Sequence, residues 1–445
     1  MSFPSSFESA EKYLDECTAF FKEFRYVFCH QNNEVLVKNV LDHINVCNFE
    51  SVDVFDKNFD ITRLIQDDDY LKRFFFTWDR LQVHFDDVEE KDFDNDIEAP
   101  VSPKKRYEVL NLVNEVVNIC ENYNCDLLVD FGSGLGYIDQ LIYDVADYKV
   151  LGLESNDSHY DSAQKRQKEY HTDSTSNVKF LKHTVKEDSH LKIAEYLQEV
   201  FPDHGQFCVI GLHACADLTV EAMCNFLKMP DAKSLAVLPC CYHKMTKDGA
   251  NFKYFPLSGN LKKIFEKHDA YSFTDVSFLR LAAHAGSEQR DLYEKVFSLL
   301  VRSILELYAH NNGLIIKRNK RKAVRMKGKK DFETYIQDAV NTGYSLIPKP
   351  NPADIQQETC KNDEIVNGFN MDELRRLWWK ISQGPLFKKA GIYILMQEYM
   401  QPIVENFILL DRLLFLKENG IEKCWYKKIF NQIVSPRCLA LIAVK

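Results

Sequence analysis

Three glycines at alternate positions follow directly on an apolar run that carries an acid: Leu127-Leu128-Val129-Asp130-Phe131-Gly132-Ser133-Gly134-Leu135-Gly136. A helical pattern then begins with Ile138, Leu141, Ile142 and Val145. The order is strand, tight turn, helix, the opening unit of a parallel sheet with a ligand at its carboxyl edge. Glycines without a Cβ let the backbone turn sharply and approach that ligand closely. The unpaired amides at the start of the helix favour a negative group such as a carboxylate.

The spacing argues against a dinucleotide, whose fingerprint needs its third glycine where Tyr137 stands. Asp130, two residues ahead of the turn, suits a ligand with an ammonium group as well as a carboxylate. The methionine end of S-adenosyl-L-methionine (AdoMet) carries both. On this reading Asp130, Gly132, Ser133, Gly134 and Gly136 hold the methionine end. The next strand-like run, residues 148–153, ends in Glu154, whose carboxylate can accept hydrogen bonds from ribose hydroxyls. Residues 178–181 alternate as a third strand, with His183 and Thr184 at its end to edge the adenine. Buried-strand runs follow at 207–212 and 235–238, with helical patterns at 191–200 and 218–227 between them. Strands alternating with helices across short loops predict a doubly wound α/β fold.

The fourth and fifth strands run into chemically unusual sequences. One is His213-Ala214-Cys215-Ala216-Asp217, the other Pro239-Cys240-Cys241-Tyr242-His243-Lys244-Met245. Chemistry in open α/β sheets gathers beyond these strand ends. His213, Asp217 and His243 are therefore the candidate catalytic residues, as a general base or as groups that orient one. His213 comes first among them and also stands beside the cofactor. Cys215, Cys240, Cys241 and His243 form an alternative zinc set. Adjacent cysteines fit one tetrahedral ion poorly, so no metal is expected.

Around this centre, residues 1–99 read as a helical, aromatic N-terminal region. It closes on an acidic run at 86–98 with eight carboxylates and one lysine, then Pro100 and Pro103. A helix over 104–123 covers the sheet, with Lys104, Lys105 and Arg106 read as exposed. Residues 100–247 and 396–445 form the discontinuous α/β domain, and 248–395 a mainly helical insertion before the last two strands. The insertion holds a basic run, 317–330, with nine Lys or Arg in fourteen residues, a pattern that suits RNA. Residues 344–358 read as a loop. A helix over 403–418 ends at Gly420, and strands at 424–434 and 439–444 complete a seven-stranded sheet.

A net charge of −10 excludes a generic polyanion binder, so any RNA contact must be local. No run of about 18 apolar residues predicts a membrane span, and the start of the chain has no apolar signal core. Thirteen cysteines without regular spacing read as reduced thiols of an intracellular protein, cytoplasmic or nuclear.

The run Asp130–Gly136 resembles motif I of class I AdoMet-dependent methyltransferases. Ser102-Pro103-Lys104-Lys105, Gly211-Leu212-His213-Ala214-Cys215-Ala216-Asp217-Leu218, Pro239-Cys240-Cys241-Tyr242-His243-Lys244 and Ser435-Pro436-Arg437-Cys438-Leu439-Ala440-Leu441 together resemble the methyltransferase-like protein 25 family. That family includes a paralogue described by an rRNA adenine dimethylase domain. The resemblance covers nearly the whole chain and implies a Rossmann-like seven-stranded sheet and methyl transfer from AdoMet; it supplies no acceptor, and RNA, tRNA or rRNA, is favoured over protein. The related pattern carries glycine where Ala216 stands. The catalytic half also resembles a tRNA 2′-O-methyltransferase family. The Asp/Asn-Pro-Pro-Tyr signature of many base-amine methyltransferases is absent after strand four. The alternative is a non-catalytic AdoMet-binding interaction protein that uses the insertion and its basic run. A zinc-supported RNA-binding module is a third reading.

Overall fold

The computed structural model describes residues 3–45, 52–56, 59, 68–88, 97, 99–284, 292–320, 331–349 and 368–445. The chain divides into two compact units. One comprises Met1–Lys22, Arg80–Gly286 and Gln401–Lys445; the other comprises Glu23–Asp79 and Ser287–Met400.

The first unit is built on one seven-stranded sheet. Its strands are β1 (Leu127–Phe131), β2 (Lys149–Glu154), β3 (Val178–Lys182), β4 (Phe207–Cys215), β5 (Ala232–Cys240), β6 (Lys423–Lys428) and β7 (Leu439–Val444). The order is β6-β7-β5-β4-β1-β2-β3, parallel from β5 to β3, with β7 antiparallel to β5. The strand order reverses between β1 and β4, and a ligand crevice opens at such a switch point. β1 is buried at every residue, as a central strand covered on both faces must be. On one face Val109, Val113 and Val116 of the helix Pro103–Tyr123 join Leu128, Val150, Ile210 and Leu238 in a single core. Helices His190–Val200 and Leu218–Lys228 complete the alternation. This is the class I methyltransferase arrangement, with the first five strands where the hydrophobic pattern put them.

The C-terminal hairpin differs in extent. The run at 424–434 becomes a strand only at Lys423–Lys428. Asn431 ends it, because its side chain accepts the Ile433 amide at 2.9 Å and its carbonyl accepts the Val434 and Ser435 amides. The helix expected at 403–418 starts earlier, at Leu386, and passes through Pro402. Apolar residues on both sides of the proline are buried, including Met396, Met400, Ile403 and Phe407, and that burial offsets the lost amide. Gly420 (φ +86°) closes the helix, its amide bonded to Lys417 O and that of Ile421 to Leu416 O, both at 3.0 Å.

In the second unit the helix Leu292–Asn311 and the helix Met371–Ser382 pack through Trp378, which meets Phe297 edge-on and stacks on Phe332. The expected loop at 344–358 is in part a strand. Tyr344–Pro348 pairs antiparallel with Leu314–Arg318, since Tyr344, Leu346 and Pro348 alternate with Ser345 and Ile347 as a pleat requires. Positions 350–358 lie outside the described residues, as do 321–330 of the basic run and most of the acidic run. Among the described residues no helix is long and apolar enough to cross a membrane.

Candidate active site

The turn after β1 is held from below by β2. Gly132 and Ser133 both donate their amides to Leu153 O, at 2.9 and 3.2 Å, and Gly136 donates to Ser133 O at 3.0 Å. Gly132, Gly134 and Gly136 have φ of +85°, +60° and +75°, so all three occupy the left-handed region. Above the turn a cleft of about 400 Å³ opens, within the range of small-molecule sites. Lys105, Asp130, Gly132, Ser133, Gly134 and Leu212 contribute to its walls.

Its electrostatics are unbalanced. Asp130 is 1% exposed, and its Oδ1 has no hydrogen-bond partner among the described residues. Burial pushes its carboxyl well above the usual range; Asp139 beside it adds to the rise and Lys105 opposes it. Asp139, on the helix Tyr137–Ala146, is likewise buried, with neither oxygen partnered among the described residues, and burial raises it too. Burial lowers the Lys105 ammonium, while Glu108, Asp130 and Asp139 hold it up. Ser133 Oγ is buried without a partner among the described residues as well. A buried carboxyl with no bond costs about 1–3 kcal/mol or more. A ligand ammonium at Asp130 and a carboxylate at the helix amides would relieve that cost.

Glu154 closes β2 at 7% exposure. Its Oε2 accepts the Gly134 amide at 2.9 Å and its Oε1 the Asn156 amide at 2.7 Å. Each oxygen keeps a further lone pair, and the first bond ties the acid to the glycine turn. His183 turns to Ser189, Nε2 to Oγ 2.9 Å, with its ring edge-on to Tyr196.

The strand ends were only partly legible. β4 does not stop at Leu212 but continues to Cys215 through a register irregularity between Gly211 and Ala214. His213 sits in that bulge at φ +60°, and bulges re-aim side chains in this way. Its Nε2 lies 3.1 Å from Glu108 Oε2, while Ser435 donates to Glu108 Oε1 at 2.7 Å. A carboxylate only accepts, so Nε2 carries the proton and Nδ1 is left as the basic atom. The His213 side chain is 34% exposed over a Glu108 that is 3% exposed. Burial pushes the Glu108 carboxyl up, but His213, Ser435 and Lys104 outweigh it and hold the group below its usual range.

Asp217 accepts the Thr246 amide at 3.1 Å and so fastens the chain just beyond the one-turn helix that follows β5. His243 lies in the one-turn helix Tyr242–Lys244, its buried Nδ1 without a partner among the described residues; burial, then Arg280 and Lys244, lower its pKa. Among the described residues His213 is thus paired with Glu108, not with Asp217 or His243. The loop carrying His243 is anchored by Tyr242, which donates to Glu405 at 3.0 Å, and Glu405 also accepts from Arg437 at 2.6 Å. The terminal Ser435-Pro436-Arg437 therefore reaches both candidate histidines at one remove. Cys215 and Cys240, register partners at the ends of β4 and β5, bring their sulfurs to 2.9 Å, with Cys241 close by.

Glu108 and Lys105 were missed by sequence reasoning. Glu108 carried a signal, since it shares a stripe with Leu112 and Glu115 on the face that covers the sheet. Glu108→Gln is expected to cost about 1–3 kcal/mol of stability near neutral pH. Because the carboxyl is held below its ordinary value of 4.5, its contribution is present above that pH and lost as pH falls through the folded value. Denaturant unfolding of both proteins across acid pH should show the deficit closing; a deficit constant with pH would rule out the ionic role.

Residues 104–248 match the family model described as a methyltransferase domain. The chain is 21% identical over 250 residues to "Probable methyltransferase-like protein 25" of Mus musculus, covering 56% of this chain and 39% of that protein. It is 23% identical over 262 residues to the Homo sapiens protein of the same name, covering 56% and 38%. The chain thus spans well under half the length of the curated relatives it matches. Among solved structures, magnesium protoporphyrin IX methyltransferase from Synechocystis PCC 6803 with bound SAH is 16% identical (TM-score 0.23, covering 50% of this chain and 81% of that one). The plantazolicin methyltransferase BpumL in complex with SAH is 8% identical (TM-score 0.22, covering 55% and 83%). The resemblance to methyltransferase-like protein 25 holds as a similarity over about half of the chain, and residues 104–248 match a methyltransferase domain.

Proposed function

We propose that this chain transfers the methyl group of AdoMet to a nucleophile held beyond the ends of β4 and β5, with RNA as the acceptor class. The observation that carries the reading is Asp130, a buried acid whose Oδ1 has no hydrogen-bond partner among the described residues, in the wall of a glycine-lined cleft. Asp130 and the amides after Gly132 would hold the methionine end, and Glu154 the ribose. Bound there, AdoMet supplies a methyl group on a sulfonium, which leaves without its bonding electrons. The acceptor's lone pair forms the new bond, and its proton passes to His213 Nδ1, with Glu108 holding the ring. Alignment of the two reactants supplies most of the acceleration. The RNA assignment is supported by the basic run 317–330 alone.

AdoMet binding is expected to release protons, because an ammonium beside Asp130 draws its raised pKa down. Affinity should accordingly increase as pH rises from the acid side. Titration calorimetry in two buffers of different ionisation enthalpy reads this directly; equal heats, or no binding, would defeat the cofactor assignment. The acceptor is tested with tritiated AdoMet and separated RNA and protein fractions from cells lacking the protein. Label in the protein fraction alone would exclude RNA, and label in neither, with AdoMet bound tightly, would leave an interaction protein.

A further inference from the structure

We propose that Cys215, Cys240 and Cys241 form a three-sulfur site for a thiophilic cation, zinc foremost, at the carboxyl ends of β4 and β5. The three sulfurs lie within 4.8 Å of one another, and Cys215 and Cys240 are 2.9 Å apart. Zinc–sulfur bonds of about 2.3 Å in a tetrahedron set sulfurs about 3.8 Å apart, so the ion needs only a small spreading of the closest pair. Cys240 is buried, while Cys215 and Cys241 are partly exposed, which leaves a direction open for a fourth ligand from solvent.

The adjacency of Cys240 and Cys241 argues against a common ligand only while the chain stays extended. Successive residues of a strand face opposite sides of the sheet. Here the chain leaves the β conformation between them, with Cys241 at φ +52°, and so both sulfurs reach Cys215. That conformation is costly for a residue with a side chain, about 1–3 kcal/mol. Among the described non-glycine residues at positive φ, four are Asn or Asp, which tolerate it. The remaining three are His213, Ala216 and Cys241, all around this cluster. Strain concentrated at one point of a fold marks a site the surrounding structure holds for a purpose.

Binding is a ligand exchange without redox change. Three thiols lose three protons to solvent, three sulfur–zinc bonds replace three zinc–water bonds, and the site carries one negative charge. The site does not depend on AdoMet being the cofactor.

The test uses the full chain, purified under reductant without oxygen, stripped by chelator and titrated with cobalt(II) as the spectroscopic probe. One cobalt per chain with near-ultraviolet thiolate charge-transfer bands is expected, and zinc should displace it. Cys241→Ser should weaken cobalt binding at least about tenfold, or about 1.4 kcal/mol, Cys241→His should restore much of it, and Cys29→Ser should change nothing. Absence of thiolate bands in the wild-type chain overturns the proposal whatever the variants do. So does a Cys241→Ser chain that binds cobalt as the wild type does, or a reduced chain that forms a Cys215–Cys240 disulfide on mild peroxide yet never takes the metal. Circular dichroism of each variant separates lost ligation from lost fold.

Discussion

Gly134→Ala is expected to cut AdoMet affinity about tenfold or more at a stability cost of only about 1–2 kcal/mol, and Gly136→Ala, two residues on, is expected to damage the fold itself. The two glycines share a turn and a positive φ, so the left-handed backbone costs an alanine about 1–2 kcal/mol at either. What a methyl would meet differs. At Gly134 the nearest atom to a new Cβ is Gly132 O at 4.0 Å, and the residue lines the cleft. The methyl therefore takes up space a ligand needs without pressing on protein, and the amide still donates to Glu154. At Gly136 a Cβ would lie 2.5 Å from Phe180 Cζ and 3.0 Å from its Cε1. Phe180 is 6% exposed in the core beneath the turn, so its ring moves only by overpacking that core, at about 1–3 kcal/mol more. The sum, about 2–5 kcal/mol, is a large share of a domain's stability. Denaturant unfolding and calorimetry on both variants check the pair. Equal stabilities would mean that Phe180 yields freely, and unaltered affinity in Gly134→Ala would remove the ligand from this cleft.

Hydrophobic pattern made the sheet readable, because each parallel strand is a short apolar run whose carboxyl end the next residue betrays. Asp130, the glycines and Glu154 were readable for the same reason: their roles follow from local spacing around one turn. Glu108 was not, since its partners His213 and Ser435 lie 105 and 327 residues away. Lys105 looked like a solvated helix start and lines the cleft. The bulge at His213 and the turn at Cys241 are backbone conformations that ordinary residues seldom adopt, and composition carries no trace of them. Tyr344–Pro348 escaped notice because its partner strand lies at Leu314–Arg318, and prolines at its end read as a loop.

Asp130→Asn is expected to separate stability from binding in opposite directions. The folded wild type keeps its Asp130 proton well above the ordinary value of 3.8, because burial and the neighbouring Asp139 oppose the charge. The unfolded chain gives that proton up near the ordinary value. The folded state therefore binds more protons, and the unfolding free energy falls as pH rises beyond 3.8, by up to ~1.4 kcal/mol per pH unit from this one group. Asparagine has no proton to keep. The variant should match the wild type near the bottom of that window and become progressively more stable than it toward neutral pH. Its AdoMet affinity should drop about 10–100-fold, the loss of one charge-assisted hydrogen bond of about 1.5–3 kcal/mol. The proton release that accompanies binding should vanish with it. Unfolding curves at several pH values, paired with calorimetry in two buffers, read all three. If the variant is destabilised at every pH, the acid serves the fold and not a ligand. If it is stabilised and still binds with proton release, the titrating group is Asp139, and the ammonium lies one turn deeper against the helix Tyr137–Ala146.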